Sequence, residues 1–159
     1  MRISEFRRLN PRQREAYERS LEALHLMRTE GLSLGKAAKQ AGTTAQTVQK
    51  YAGEALRLSR GEWQPRREDN LIREVRYTTP EGRTEAVLVR GSAEARKVAE
   101  WQSAVLHYER TGDASHLRRL RYKTFVDATG RRHRLVTDPR RVRDLAYRGL
   151  IDIEDVESP

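Results

Sequence analysis

Along residues 10–30 (NPRQREAYERSLEALHLMRTE), apolar side chains recur at three- and four-residue steps, at Tyr17, Leu21, Leu24 and Met27, among Arg, Glu and Gln. That period predicts an amphipathic helix with one buried face. Its ends are marked as well: Asn10 suits the N-cap, Pro11 the first helical position, Gln13 completes a capping box, and Gly31 follows the last turn. Ser33 is placed to cap a shorter helix through Ala41, which Gly42 breaks. Thr43 with Gln46 offers a second capping pair, for a helix running to about Leu58. Residues 1–58 are thus expected to hold helices and no strand.

From Ser59 to Asn70 the chain reads SRGEWQPRREDN, polar and without period, which predicts a linker over 59–70 in which Trp63 staples the flanking modules. Residues 71–78 (LIREVRYT) and 84–90 (TEAVLVR) are rich in β-branched residues. The TPEG between them predicts the turn of a hairpin. Ser92 is expected to cap a long helix carrying Val98, Trp101, Val105 and Tyr108 on one face and ending at Gly112. A second pair of strand-like runs, 123–128 and 133–137, surrounds ATGRR. Asp138 and Pro139 then open a last helix with Val142, Leu145 and Ala146, stopped by Gly149. Residues 150–156 alternate apolar and acidic, which fits a final strand or an acidic tail. The expected class is α+β: an all-helical module over 1–58, the linker, and a small α+β domain over 71–159 in hairpin, helix, hairpin, helix order.

Composition sharpens this division. Of 159 residues, 36% are hydrophobic and 35% charged, so the core must be small or divided. Lys and Arg number 32 against 23 Asp and Glu, a net charge of +9 that favours polyanionic partners. Residues 1–60 hold twelve basic and six acidic residues, and residues 111–148 hold eleven and four. The absence of cysteine excludes a disulfide framework, a thiolate metal site and a Cys nucleophile. No apolar run approaches the ~18 residues of a membrane span, and MRISEFRRLN lacks a signal-peptide core, so a cytoplasmic, nucleoid-associated protein without a membrane partner is expected.

The most informative stretch is LGKAAKQAGTTAQTVQKYAG, residues 34–53. Ala38 is small enough for two helices to cross closely, Gly42 can take positive φ in the turn, and Val48 and Tyr51 can anchor the second helix. The stretch resembles the twenty-residue helix-turn-helix of bacterial and phage repressors, activators and resolvase-type recombinases. That resemblance covers about an eighth of the chain and implies DNA binding without naming a specific family. On it, Thr44, Ala45, Gln46, Gln49 and Lys50 would contact bases. Ser33, Lys36, Lys39, Arg57, Arg131 and Arg132 would contact phosphates. No acidic residue lies between Ser33 and Gly53. The turn at Arg131 and Arg132 carries charge repulsion that nothing near it in sequence visibly relieves, so DNA phosphate or the acidic end at Asp152, Glu154, Asp155 and Glu157 is expected to answer it.

Catalytic and metal signals are weak. His25, His107, His116 and His133 are scattered without metal-pair spacing, Asp127 and Asp138 read as turn and cap residues, and GxxxxGK[ST] is absent. The expectation is no enzyme, no cofactor and no metal. Function is read as sequence-specific binding of double-stranded DNA by a homodimeric transcriptional regulator, paired through the helix near 92–110. A small-terminase-like DNA-packaging or recombination accessory protein, and an RNA-binding module, remain open alternatives.

Overall fold

The computed structural model describes residues 1–78, 84–144 and 150–152. The chain is mixed α+β and divides into two compact units, Met1–Leu71 and Ile72–Pro159.

Unit 1 begins with a short helix that the hydrophobic pattern does not reveal, α1 (Ile3–Arg7), whose Phe6 is buried edge-on against Tyr17 at 5.3 Å between ring centroids. The long helix α2 (Pro11–Glu30) starts with the expected reciprocal box: Gln13 N donates to Asn10 Oδ1 at 2.8 Å, and Asn10 N donates to Gln13 Oε1 at 3.0 Å. Two shorter helices follow, α3 (Leu34–Gln40) and α4 (Ala45–Ala52). Tyr17, Leu24 and Met27 of α2 are buried as their period predicts. Leu24 and Met27 join Leu34, Ala37 and Ala38 of α3 and Val48 and Ala52 of α4 in one core.

Two corrections apply here. The third helix does not reach Leu58 but ends at Ala52, followed by a single 3-10 turn, Gly53–Ala55. Residues 59–70 are not a linker. Strands β1 (Leu56–Ser59) and β2 (Glu62–Pro65) form an antiparallel hairpin, with Ser59 opposite Glu62 and Leu58 opposite Trp63. Residues 66–71 are then tied to α2. Arg28 donates through Nε and Nη2 to the Arg66 carbonyl at 3.1 and 2.8 Å, and its Nη1 pairs with the buried Asp69 carboxylate at 2.9 Å. Leu71 closes the same core. A polar stretch is ordered by hydrogen bonds and an ion pair rather than by apolar burial, so hydrophobic periodicity cannot detect it.

Unit 2 pairs β3 (Ile72–Thr78) with β4 (Thr84–Arg90) as the expected antiparallel hairpin; the TPEG turn lies outside the described residues. Helix α5 (Ser92–Thr111) packs on that hairpin, with Gly91 rather than Ser92 at its N-cap and no side-chain capping bond. Trp101 is fully buried, and its Nε1 donates to the Val136 carbonyl at 2.8 Å. Val98, Ala104 and Val105 of α5 share a core with Leu117 of α6 (Ser115–Arg118), Phe125 of β5 (Thr124–Val126), Leu135 of β6 (Arg132–Leu135) and Val142 of α7 (Pro139–Asp144). β6 pairs on its other side with β7 (Leu150–Asp152), so the strand alternative holds for those three residues. Leu145, Ala146, Gly149, Glu154, Asp155 and Glu157 lie outside the described residues.

Candidate nucleic-acid interface

The α3–α4 hairpin is built from three local devices. Ser33 caps α3, its Oγ accepting from Lys36 N at 3.4 Å, and Thr44 caps α4, its Oγ1 accepting from Thr47 N at 3.2 Å. Gly42 turns the chain at φ 78°, a conformation costly for a residue with a Cβ. Arg19 of α2, paired with Glu15 one turn earlier, donates from Nη1 to the Gly42 carbonyl at 2.9 Å. Its guanidinium also lies 3.4 Å from where a Gly42 Cβ would sit. Hydrophobic periodicity does not disclose this clamp, although its one sequence signal, Glu and Arg four residues apart, is visible in α2.

Below the turn, Ala37, Ala38, Val48 and Ala52 are almost wholly buried, so the two helices approach closely. Ser20 Oγ, buried on α2, contacts the Ala16 and Thr47 carbonyls at 2.9 and 3.4 Å and ties the N-terminal part of α4 to α2. Tyr51 meets Tyr17 edge-on at 5.9 Å.

The residues expected at bases separate into two groups. Gln46, Gln49 and Lys50 are exposed, and their i, i+3, i+4 spacing puts them on one face of α4. Ala45 is half-buried and packs against the core, and the Thr44 hydroxyl is engaged with Thr47 N and with Thr47 Oγ1, the latter at 2.9 Å. These two serve the helix start. Among the residues expected at phosphate, Lys36 and Lys39 are exposed on α3 and Arg57 is exposed on β1, opposite Gln64. Arg60 is absent from the sequence-based set. It occupies the tip of the β1–β2 hairpin with Gly61, at φ 52° and 77°, the signs of a two-residue type I′ turn. Among the described residues Arg60 is the one non-glycine with positive φ.

No protein-family model, curated protein or solved structure matches this chain.

Arg131 and Arg132 belong to the other unit, exposed at the β5–β6 turn. One carboxylate, Asp127, organises this turn through its backbone amides and His133. Asp127 Oδ1 accepts from the Thr129 amide at 2.9 Å, the Thr129 hydroxyl at 2.5 Å and the Arg131 amide at 3.0 Å, while its Oδ2 lies 2.7 Å from His133 Nε2. Burial of Asp127 raises its pKa, but the bonds from the Thr129 hydroxyl, His133 and the Arg131 and Thr129 amides outweigh it, leaving the carboxyl below its ordinary value. A second carboxyl, Asp113 after α5, is held down to about 2 by the Ser115 amide first, then the Ser115 hydroxyl and His107.

Proposed function

We propose that the chain is a sequence-specific double-stranded DNA-binding protein of the transcription-regulating kind, and that α3, the Gly42 turn and α4 act as its helix-turn-helix. The observation that carries this reading is the row Gln46, Gln49 and Lys50, exposed on a helix whose opposite residue Val48 is fully buried, in a segment without an acidic side chain. Gln bonds bidentately to adenine, and Lys reaches guanine or phosphate. Lys36 and Lys39 would flank the duplex backbone, with Ser33 and Thr44 setting the helix starts. The β1–β2 hairpin follows α4 within the same unit, and its exposed Arg57 and Arg60 would add further phosphate contacts.

Arg131 and Arg132 have weaker support as phosphate contacts, because Asp127 sits inside their own turn. Helix α5 uses Val98, Trp101, Ala104 and Val105 in its own core, so pairing of two copies on half-sites would draw on another surface than that stripe.

Selection of bound duplexes from a random pool tests the reading. A shared motif should emerge, and Gln49→Ala should lose ~1–3 kcal/mol of discrimination at one base pair with nonspecific affinity unchanged. No enriched motif, an unchanged preference in both Gln46→Ala and Gln49→Ala, or displacement of the duplex by structured RNA would overturn it.

A further inference from the structure

Four histidines scattered along the chain carry no metal signature in sequence, yet the fold gathers two of them. Helix α5 ends at Gly112, the chain reverses, and α6 starts at Ser115, so His107 in the last turns of α5 comes to face residues six and nine positions later. The rings of His107 and His116 stack, with centroids 4.0 Å apart and planes 18° apart. Asp113 Oδ2 lies 3.2 Å from His107 Nε2. One ligand atom from each of His107, Asp113 and His116 falls within 4.8 Å of the others.

We propose that His107, Asp113 and His116 form a binding site for a borderline divalent transition-metal ion such as zinc, which pins the end of α5 to α6. Two imidazoles with one carboxylate suit zinc, cobalt or nickel, whereas magnesium and calcium demand an oxygen shell these residues do not supply. Zinc takes imidazole nitrogen and carboxylate oxygen at ~2.0–2.2 Å along the ring-plane lone pair, so on binding the two rings turn out of their stack to aim at one ion. Three protein ligands leave a fourth position for water. The supports of the ligands are in place. Asp113 accepts from the Ser115 amide and hydroxyl, each at 2.9 Å, and the His107 carbonyl accepts from Thr111 Oγ1 at 2.8 Å, so the carboxylate and the backbone at His107 are held before any ion arrives. Both His116 and Asp113 are exposed, which gives an ion an open path in.

Titration of the full-length, metal-free chain with cobalt(II), read by its visible ligand-field absorption, tests the site. Saturable binding of one ion per chain, displaced by zinc, is expected. His116→Ala and Asp113→Asn should each weaken it by at least about tenfold. His25→Ala, on α2 in the other unit, should leave it unchanged. Zinc should also raise the unfolding temperature of the wild-type chain and not that of His116→Ala, whose metal-free unfolding provides the control for folding. Absence of saturable cobalt binding, or the same affinity in His116→Ala as in the wild type, would overturn the site.

Discussion

The two hairpins that carry basic residues at their tips, β1–β2 in unit 1 and β5–β6 in unit 2, turn by different means. The first reverses in two residues, Arg60 and Gly61, both at positive φ. The second spans Asp127 to Arg131, and a single carboxylate collects its amides and His133. Basic residues near a tip therefore mean different things. In β5–β6 a carboxylate is part of the turn and holds its backbone in place. In β1–β2 an arginine holds a backbone conformation that Gly or Asn would hold with less strain, and such strain clusters where function requires the side chain.

The largest effect on this comparison should come from removing the organising carboxylate. Asp127→Ala would leave the Thr129 and Arg131 amides and His133 without their acceptor and should lower the stability of unit 2 by about 2–3 kcal/mol. Denaturant unfolding in a Trp63→Phe background, where fluorescence reports Trp101 alone, measures it. The pH dependence has a defined sign. A carboxyl whose pKa is depressed by folding adds stability above its unfolded value of ~3.9 and loses it as pH falls through the folded value. The gap between wild type and Asp127→Ala should thus be full at neutral pH and close at more acidic pH than ~4. A gap that persists at low pH would mean that the turn is held by something other than the ionised carboxylate.

Binding should then separate the hairpins. Arg57→Ala combined with Arg60→Asn should weaken binding to all duplexes alike and reduce the slope of log K against log salt by ~0.9 for each phosphate no longer neutralised. Arg131→Ala with Arg132→Ala should change that slope by less than about half a unit on the same scale. The reverse ranking would return the β5–β6 turn to the interface and remove β1–β2 from it.

Local caps and turns are partly legible in sequence, although α4 is capped by Thr44 rather than the expected Thr43 and α5 by Gly91 rather than Ser92. Asn10 with Gln13, Ser33, Gly42 and the buried Ala38 and Val48 all stand where residue chemistry and spacing put them. What escapes depends on contacts distant in sequence or on backbone strain. The β1–β2 strands expose five of their eight residues, Leu58 and Trp63 among them, and bury only Leu56, so no buried face imposes an alternation to read. Arg28 reaches Asp69 across forty-one positions, and Arg19 reaches Gly42 across twenty-three. His107 meets Asp113 and His116 because α5 stops and reverses at Gly112, and no helical spacing relates them. Helix α1 has five residues and buries one, Phe6, too few to register as a period.

The smallest expected effect is also the most discriminating. Arg60 at φ 52° lies in the left-handed region, where a side chain with a Cβ is disfavoured and where type I′ turns favour Asn followed by Gly. Gly61 already fills the second position. Replacing Arg60 by Asn therefore completes the preferred pair and should stabilise unit 1 by up to about 1 kcal/mol. Unfolding followed by Trp63 fluorescence in a Trp101→Phe background reads that change directly. The same substitution removes a cation from the tip and should weaken duplex binding, with the salt slope falling by ~0.9, the value for one phosphate. A more stable, more weakly binding variant would show that this arginine is kept for its charge despite its cost to the fold. Stabilisation with unchanged binding would remove Arg60 from the interface, and a less stable variant would mean that the Arg60 side chain makes an interaction that outweighs its backbone strain.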